Sequence, residues 1–319
     1  MACIFLTGAA GFIGSNLVDR LLAEGHRVIG YDNFSTGRRE FLADALKNPA
    51  FTLVEGDLLN CDRLVEALRL ELVDMVYHLA ANADVSRGTE QPRKDLEQNT
   101  IATFNVLDAM REVGVKKLAF SSTGSIYGEP EIVPTPENAP FPIQTSLYGA
   151  SKLAGEGLIQ AFAEGFGFTT WIFRFVSVLG ERYTHGHIYD FHRKLQNDPT
   201  RLEVLGDGYQ TKSYMYVQDC IDAMLLATAK ASAPVNIFNL GFDGTIQVRD
   251  SIALIIERLG LKPELVFGES KRGWIGDNPL IHLDSAKIRA LGWSPRVSIP
   301  EGIVRTLDWL LDNQWVYEQ

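Results

Sequence analysis

Cysteine is scarce in this chain of 319 residues, and Cys3, Cys61 and Cys220 lie far apart with no CxxC spacing. They form neither a disulfide framework nor a thiolate metal site; a reducing compartment fits, and we expect the cytoplasm. No apolar stretch reaches the ~18 residues of a spanning helix. Residues 1–8 run straight into a strand pattern without a basic region or a cleavage site, so neither membrane insertion nor secretion is expected. Basic runs are missing as well, and the net charge of -10 argues against a nucleic-acid surface. Phosphate recognition must then be local. Histidine is sparse: His185, His187 and His192 cluster in a glycine-containing stretch with only Asp190 as a close acid, so no metal site is expected.

What is present is an apolar majority of a kind that fills a core. At 46% hydrophobic residues, the chain suffices for one large α/β domain with a smaller lobe. Residues 3–7 are an apolar run, followed by Gly8-Ala9-Ala10-Gly11-Phe12-Ile13-Gly14 and then by Leu17, Leu21 and Leu22 at helical spacing. Strand, tight turn and helix in this order suit a dinucleotide. Gly8 permits the turn, Gly11 lets the backbone approach a pyrophosphate, Gly14 lets helix and strand pack, and the helix N-terminus attracts negative charge. The spacing is GxxGxxG rather than GxGxxG, and by itself it also fits an ordinary strand-helix turn. Asp32 strengthens it, ending a second apolar strand about 20 residues on, where a carboxylate accepts ribose hydroxyls and repels a 2'-phosphate. NAD is therefore expected, with Arg38 and Arg39 close enough in sequence to leave NADP open. Asp57, in Gly56-Asp57-Leu58, is placed either to meet the adenine amino group or simply to make a turn.

A second constellation is Ser146-Leu147-Tyr148-Gly149-Ala150-Ser151-Lys152. Tyr148 and Lys152 stand at i and i+4 on one helix face, so the ammonium is expected to favour ionisation of a phenol whose ordinary pKa is about 10. Ser121-Ser122-Thr123 follows the apolar residues 117–120, which places hydroxyls at the C-terminal end of a strand, where open α/β sheets bind ligands.

These motifs, together with His78-Leu79-Ala80-Ala81, Tyr127-Gly128, Gly206-Asp207-Gly208-Tyr209-Gln210, Tyr216-Val217-Gln218-Asp219, Leu283-Asp284-Ser285-Ala286-Lys287 and Leu291-Gly292-Trp293, resemble the extended short-chain dehydrogenases/reductases. Within them the chain looks like an NAD-dependent nucleotide-sugar epimerase/dehydratase of the UDP-glucose 4-epimerase kind. The resemblance implies that Tyr148 removes and returns a proton, that Thr123 hydrogen-bonds the sugar oxygen, and that Lys152 binds the nicotinamide ribose and lowers the Tyr148 pKa. It also implies that Gly8, Gly11, Phe12, Ile13, Gly14, Asp32, Asn33, Phe34, Ser35, Thr36, Gly37, Asp57, Leu58, Leu79, Ala80, Ala81, Ala83, Asn99 and Val176 line NAD, with Tyr148 and Lys152. For the substrate it implies Lys212 and Arg272 at the diphosphate, His187 and Ile188 near the nucleobase, and Tyr214 at the ring or a phosphate. Ser177 stands where the family commonly has Asn, and Lys212 where it commonly has Arg, a point charge in place of a planar fork.

The alternation of strand and helix signals, with strands at residues 3–6, 27–31, 51–54, 75–78, 117–120 and 169–175, predicts a Rossmann doubly wound parallel sheet. A smaller C-terminal substrate-binding lobe completes the expected α/β fold. Residues 1–176 are expected to bind NAD, with 212–240 returning to that domain, and 177–319 to form mainly the second lobe. Reaction type follows from the residues after Thr123. A 4,6-dehydratase usually carries an Asp-Glu pair there, whereas this chain has Gly124 and Ser125, so epimerisation at sugar carbon 4 of a UDP-hexose is expected. Dehydratase, decarboxylase and 2-epimerase remain as alternatives, the uronate reactions calling on Arg182 and Arg87, and a non-catalytic NAD-sensing protein is the alternative of another class. Helices over 95–113 and 147–165 carry apolar residues on more than one face, and the resemblance implies a four-helix homodimer interface.

Overall fold

The computed structural model describes residues 1–83, 85, 88–141, 143–274 and 276–318; Arg87 lies outside them. Seven parallel strands form the central sheet. They are β1 (Cys3–Thr7), β2 (Arg27–Asp32), β3 (Phe51–Glu55), β4 (Met75–His78), β5 (Lys117–Thr123), β6 (Thr169–Phe175) and a last strand, Val235–Leu240. Their order is the last strand, then β6-β5-β4-β1-β2-β3. The order reverses at β1, between β4 and β2, and a crevice opens there at the strand C-termini. Both sheet faces are covered, because successive side chains alternate: Ile4 and Leu6 enter one core layer, Cys3 and Phe5 the other.

A third apolar cluster, separate from both sheet faces, joins helices His187–Asn197, Val248–Leu259 and Ile299–Asp312. Strand Ser177–Leu179 leaves β6 and pairs in parallel with Tyr214–Tyr216, and Val235–Leu240 then pairs with β6 in the large sheet. The chain thus passes repeatedly between the two regions, leaving the sheet again for Val248–Leu259, returning with Ile288 and Trp293, and ending in the third cluster with Ile299–Asp312.

One expected helix differs in form. The segment anticipated over 95–113 starts at Pro92 and contains a π-helical turn, Leu96–Ile101, before Ala102–Val113. Polar contacts gather at this turn. The Thr103 hydroxyl takes the Asn99 carbonyl at 2.5 Å, while the Asn99 amide reaches Ser151 Oγ at 2.9 Å and accepts from the Asn82 amide at 2.8 Å. The second expected helix forms as Leu147–Phe166, capped by Ser146, whose hydroxyl accepts from the Gly149 amide at 3.0 Å.

Candidate active site

At the switch point the glycine turn folds onto its neighbours. Gly8 has φ +73°, and a Cβ there would lie 2.7 Å from the Ala80 nitrogen. Gly11 precedes helix Phe12–Ala23 and no side chain caps it, so the first helical amides are left for an anion. Asp32, at the end of β2, accepts from the Ala10 amide through one oxygen and from the Phe34 amide through the other, each at 2.8 Å. Burial raises its pKa, against those two bonds. Residues 33–37 wrap round the turn: a Cβ on Gly37 would lie 2.8 Å from an Asp32 oxygen, and Asn33 donates to Asp57 at 3.0 Å. Arg38 and Arg39 are directed elsewhere. Arg38 donates to the Val316 carbonyl at 2.7 Å and Arg39 to Glu55 at 2.9 Å. An acid at the ribose position, an uncapped helix end and a close-packed glycine turn together fit NAD.

Leu79, Ala80 and Ala81 continue from β4 beside this turn, with Ala83 exposed further on; Leu58 and Val176 are buried. His78 links the parts. Its Nδ1 meets Thr7 Oγ1 at 2.8 Å and its Nε2 meets Thr103 Oγ1 at 3.0 Å. Since Thr103 spends its proton on the Asn99 carbonyl, it must accept from His78, which makes Nε2 the protonated nitrogen. Burial pushes the His78 pKa down to about 3, with the Lys152 charge adding to the shift.

Thr123 ends β5, its hydroxyl accepting from the Ser125 amide at 3.1 Å, and it lies near enough to Tyr148, in the first turn of the facing helix, to lower the phenol's pKa. Two residues 25 positions apart thus meet. Lys152 is 2% exposed, with its ammonium 4.2 Å from the centre of the Phe120 ring. The expected depression of the Tyr148 pKa does not occur. Burial raises it to about 12, partly countered by Thr123 and increased by Asp95, while burial also pushes Lys152 down to about 7. The physical reason is desolvation, which penalises phenolate and ammonium alike.

Beneath the pair lies a carboxylate that the motif search missed. Glu156 is fully buried and receives Ser122 Oγ at 2.5 Å, Arg174 Nε at 3.0 Å and Arg174 Nη2 at 2.7 Å. Spacing held the clue, since Tyr148, Lys152 and Glu156 form one i, i+4 row.

The expected substrate residues fall into two groups. Ser177 stands opposite Tyr214 in the short parallel pair, and the Tyr214 hydroxyl is 3.3 Å from His187 Nδ1, whose other nitrogen meets Ser251 Oγ at 2.7 Å. Ile188 is entirely enclosed in the third core, so a ligand would meet only its main chain. Neither expected phosphate cation is presented bare. Lys212 is 2.6 Å from Asp277 in a largely buried pair, and exposed Arg272 bonds Glu129, just beyond the turn that follows Thr123.

Residues 4–241 match the NAD dependent epimerase/dehydratase family. Among curated relatives, UDP-glucose 4-epimerase of Mycolicibacterium smegmatis is 34% identical over 95% of this chain and 97% of its own. UDP-glucuronic acid decarboxylase 1 of Arabidopsis thaliana is 32% identical over 95% of this chain and 68% of its own. Among solved structures, UDP-glucose 4-epimerase of Thermotoga maritima, crystallised with UDP-glucose, superposes with a TM-score of 0.88 at 32% identity, covering 98% of this chain and 99% of that one. With most of its length matched and a relative 34% identical across nearly the whole of both chains, the chain belongs to the NAD dependent epimerase/dehydratase family.

Proposed function

We propose that the protein is an NAD-dependent nucleotide-sugar 4-epimerase acting on a UDP-hexose of the UDP-glucose/UDP-galactose type. The observation that carries this reading is Thr123 at the C-terminal end of β5 brought beside Tyr148, with Lys152 on the same helix face as Tyr148. A sugar hydroxyl placed between Thr123 and Tyr148 is held by the first and deprotonated by the second. NAD, when bound, accepts and returns the hydride, and its nicotinamide cation adds the positive charge that favours an ionised phenol. Gly124 and Ser125 after Thr123 supply no carboxylate for expelling water, so the keto sugar is returned to an alcohol by way of Tyr148.

The decarboxylase reading gains little from Arg182. Its guanidinium is 2.5 Å from Asp19, already neutralised rather than held for a sugar carboxylate. In our reading residues 1–176 with 212–240 serve the cofactor and 177–319 mainly the substrate. His187, Tyr214, Ser177 and Lys212 line one side of the nucleotide site, and Arg272 exchanges Glu129 for the diphosphate. The protein acts in the cytoplasm, as its unpaired thiols allow. Two helices from each of two copies pair through apolar residues that one copy leaves exposed, including Leu96, Ile101, Phe104, Leu147 and Phe166.

The deciding experiment is incubation with UDP-galactose, without and then with added NAD, followed by NMR of the sugar. UDP-glucose forming with no net NADH is the expected result. A pentose or a 4-keto-6-deoxy product from a wider nucleotide-sugar panel would overturn the epimerase reading.

A further inference from the structure

Besides the apolar packing of Ile159, Phe162 and Ala163, the catalytic helix is tied to the sheet by a buried ion pair. Glu156, one turn beyond Lys152, takes both donors of the Arg174 fork from β6 and the Ser122 hydroxyl from β5, the residue beside Thr123. Arg174 is itself spent on Glu156, the Tyr127 hydroxyl at 2.6 Å and the Glu137 carbonyl at 2.8 Å. Tyr127 in turn donates to the Asn239 side-chain oxygen on the last strand at 2.9 Å. One carboxylate therefore joins the helix to β5 and β6, and through Arg174 to the edge of the sheet. A bidentate, wholly buried pair of this kind has a defined geometry, and an error at Glu156 would be carried along a rigid helix to Tyr148.

We propose that Glu156 is the positioning residue of this site: its bonds to Ser122 and Arg174 set Tyr148 against Thr123, and its carboxylate supplies the negative charge beneath Lys152. The charges around Lys152 make that second role plain. Tyr148 and Glu156 share its helix, Ser122 and the Phe120 ring come from β5, neutral His78 from β4, and Arg174 from β6; Asp95, beyond the π-helical turn, acts on Tyr148. Glu156 is the group among these that favours the Lys152 ammonium, against a burial that disfavours it. Neither residue can reach a substrate atom through its enclosed setting, so the effect is on placement and charge.

The inference rests on the epimerase reading for what Tyr148 does, but its first test needs no turnover. Lysine-labelled, ligand-free protein is titrated by NMR, with the Lys152 resonance identified by its loss in Lys152→Arg. Glu156→Gln alone would strand the Arg174 charge and risk unfolding, so the main variant is Glu156→Gln with Arg174→Met, which removes both charges. Burial pushes the Lys152 pKa down to about 7 against the opposing Glu156 charge, and its midpoint is expected to fall further in the double variant, because Glu156 lies on the Lys152 helix one turn away while the Arg174 charge that leaves with it comes from β6. The alkaline limb of its kcat profile should move down likewise, with KM little changed. An unchanged midpoint in a folded double variant overturns the charge role. Ser122→Ala, which leaves the ion pair intact, should keep the Lys152 midpoint and lower kcat by roughly tenfold through misplacement. An unchanged kcat overturns the positioning role. A parent protein that epimerises no sugar would refute the functional reading, while the titration would still decide the charge role.

Discussion

Replacing Gly14 by alanine tests the cofactor turn with a single methyl group. Gly14 lies in ordinary helical backbone, so its need for glycine is one of space. A Cβ there would sit 1.9 Å from the Gly8 carbonyl oxygen and 2.8 Å from its carbon. Cβ atoms do not approach other atoms below 3.0 Å, so helix and turn must separate by about 1.1 Å, and both obstacles are backbone that no rotamer change can move. Overpacking of this type costs about 1–3 kcal/mol of stability. The larger effect falls on binding, because the same shift moves the first helical amides away from the pyrophosphate. Losing one well-placed amide-to-phosphate hydrogen bond costs about 1.5–3 kcal/mol, up to on the order of 10²-fold in affinity. We expect Gly14→Ala to remain folded by circular dichroism, with a modestly lower Tm and an NAD Kd raised by about that factor in calorimetric titration. A Kd within threefold of the parent would refute the assignment of this turn to the pyrophosphate.

Further predictions concern the base, acid stability, the phosphate cations and assembly. Tyr148→Phe should abolish epimerisation while leaving NAD affinity unchanged by calorimetry, because the ring still fills its place. Buried His78 and His187, lowered by burial to about 3 and about 4, refuse protons that the unfolded chain accepts below its histidine pKa of about 6.5. Stability should therefore fall as pH drops from 6.5 toward 4, with about two extra protons taken up on unfolding near pH 5, which calorimetry in buffers of different ionisation heat would measure. Glu129→Gln should free Arg272 and lower KM for the nucleotide sugar by roughly two- to fivefold at low salt, the scale of an exposed ion pair, with kcat unchanged in steady-state assays. Sedimentation should give twice the 35.4 kDa chain mass, and Phe104→Glu should reduce it to one.

The positions of the chemistry were legible in the sequence because each depends on short-range geometry. Strand residues 3–7, the turn to Gly14 and the row Tyr148-Lys152 are set by alternation, glycine spacing and helical period, and all three occur as read. The π-helical turn at Leu96–Ile101 was not legible. Asn82 and Ser151 converge there on Asn99 from other segments, 17 and 52 residues away, beside the local bond from Thr103, and nothing near Asn99 in sequence announces those two partners. Lys212 and Arg272 could be recognised as cations, but Asp277 and Glu129, which neutralise them, lie 65 and 143 residues away.

The sequence by itself determined the parallel α/β sheet, its dinucleotide turn and the identity of the acid, phenol and ammonium, since these follow from residue type and periods of two and 3.6. Only the tertiary structure decided the electrostatic state of the site. Burial holds Tyr148 protonated and weakens the hold of Lys152 on its proton, against the expectation from their spacing alone. A pKa answers to every charge and every missing water within several ångströms, and in this fold those neighbours are brought together from β4, β5, β6 and two helices far apart along the chain.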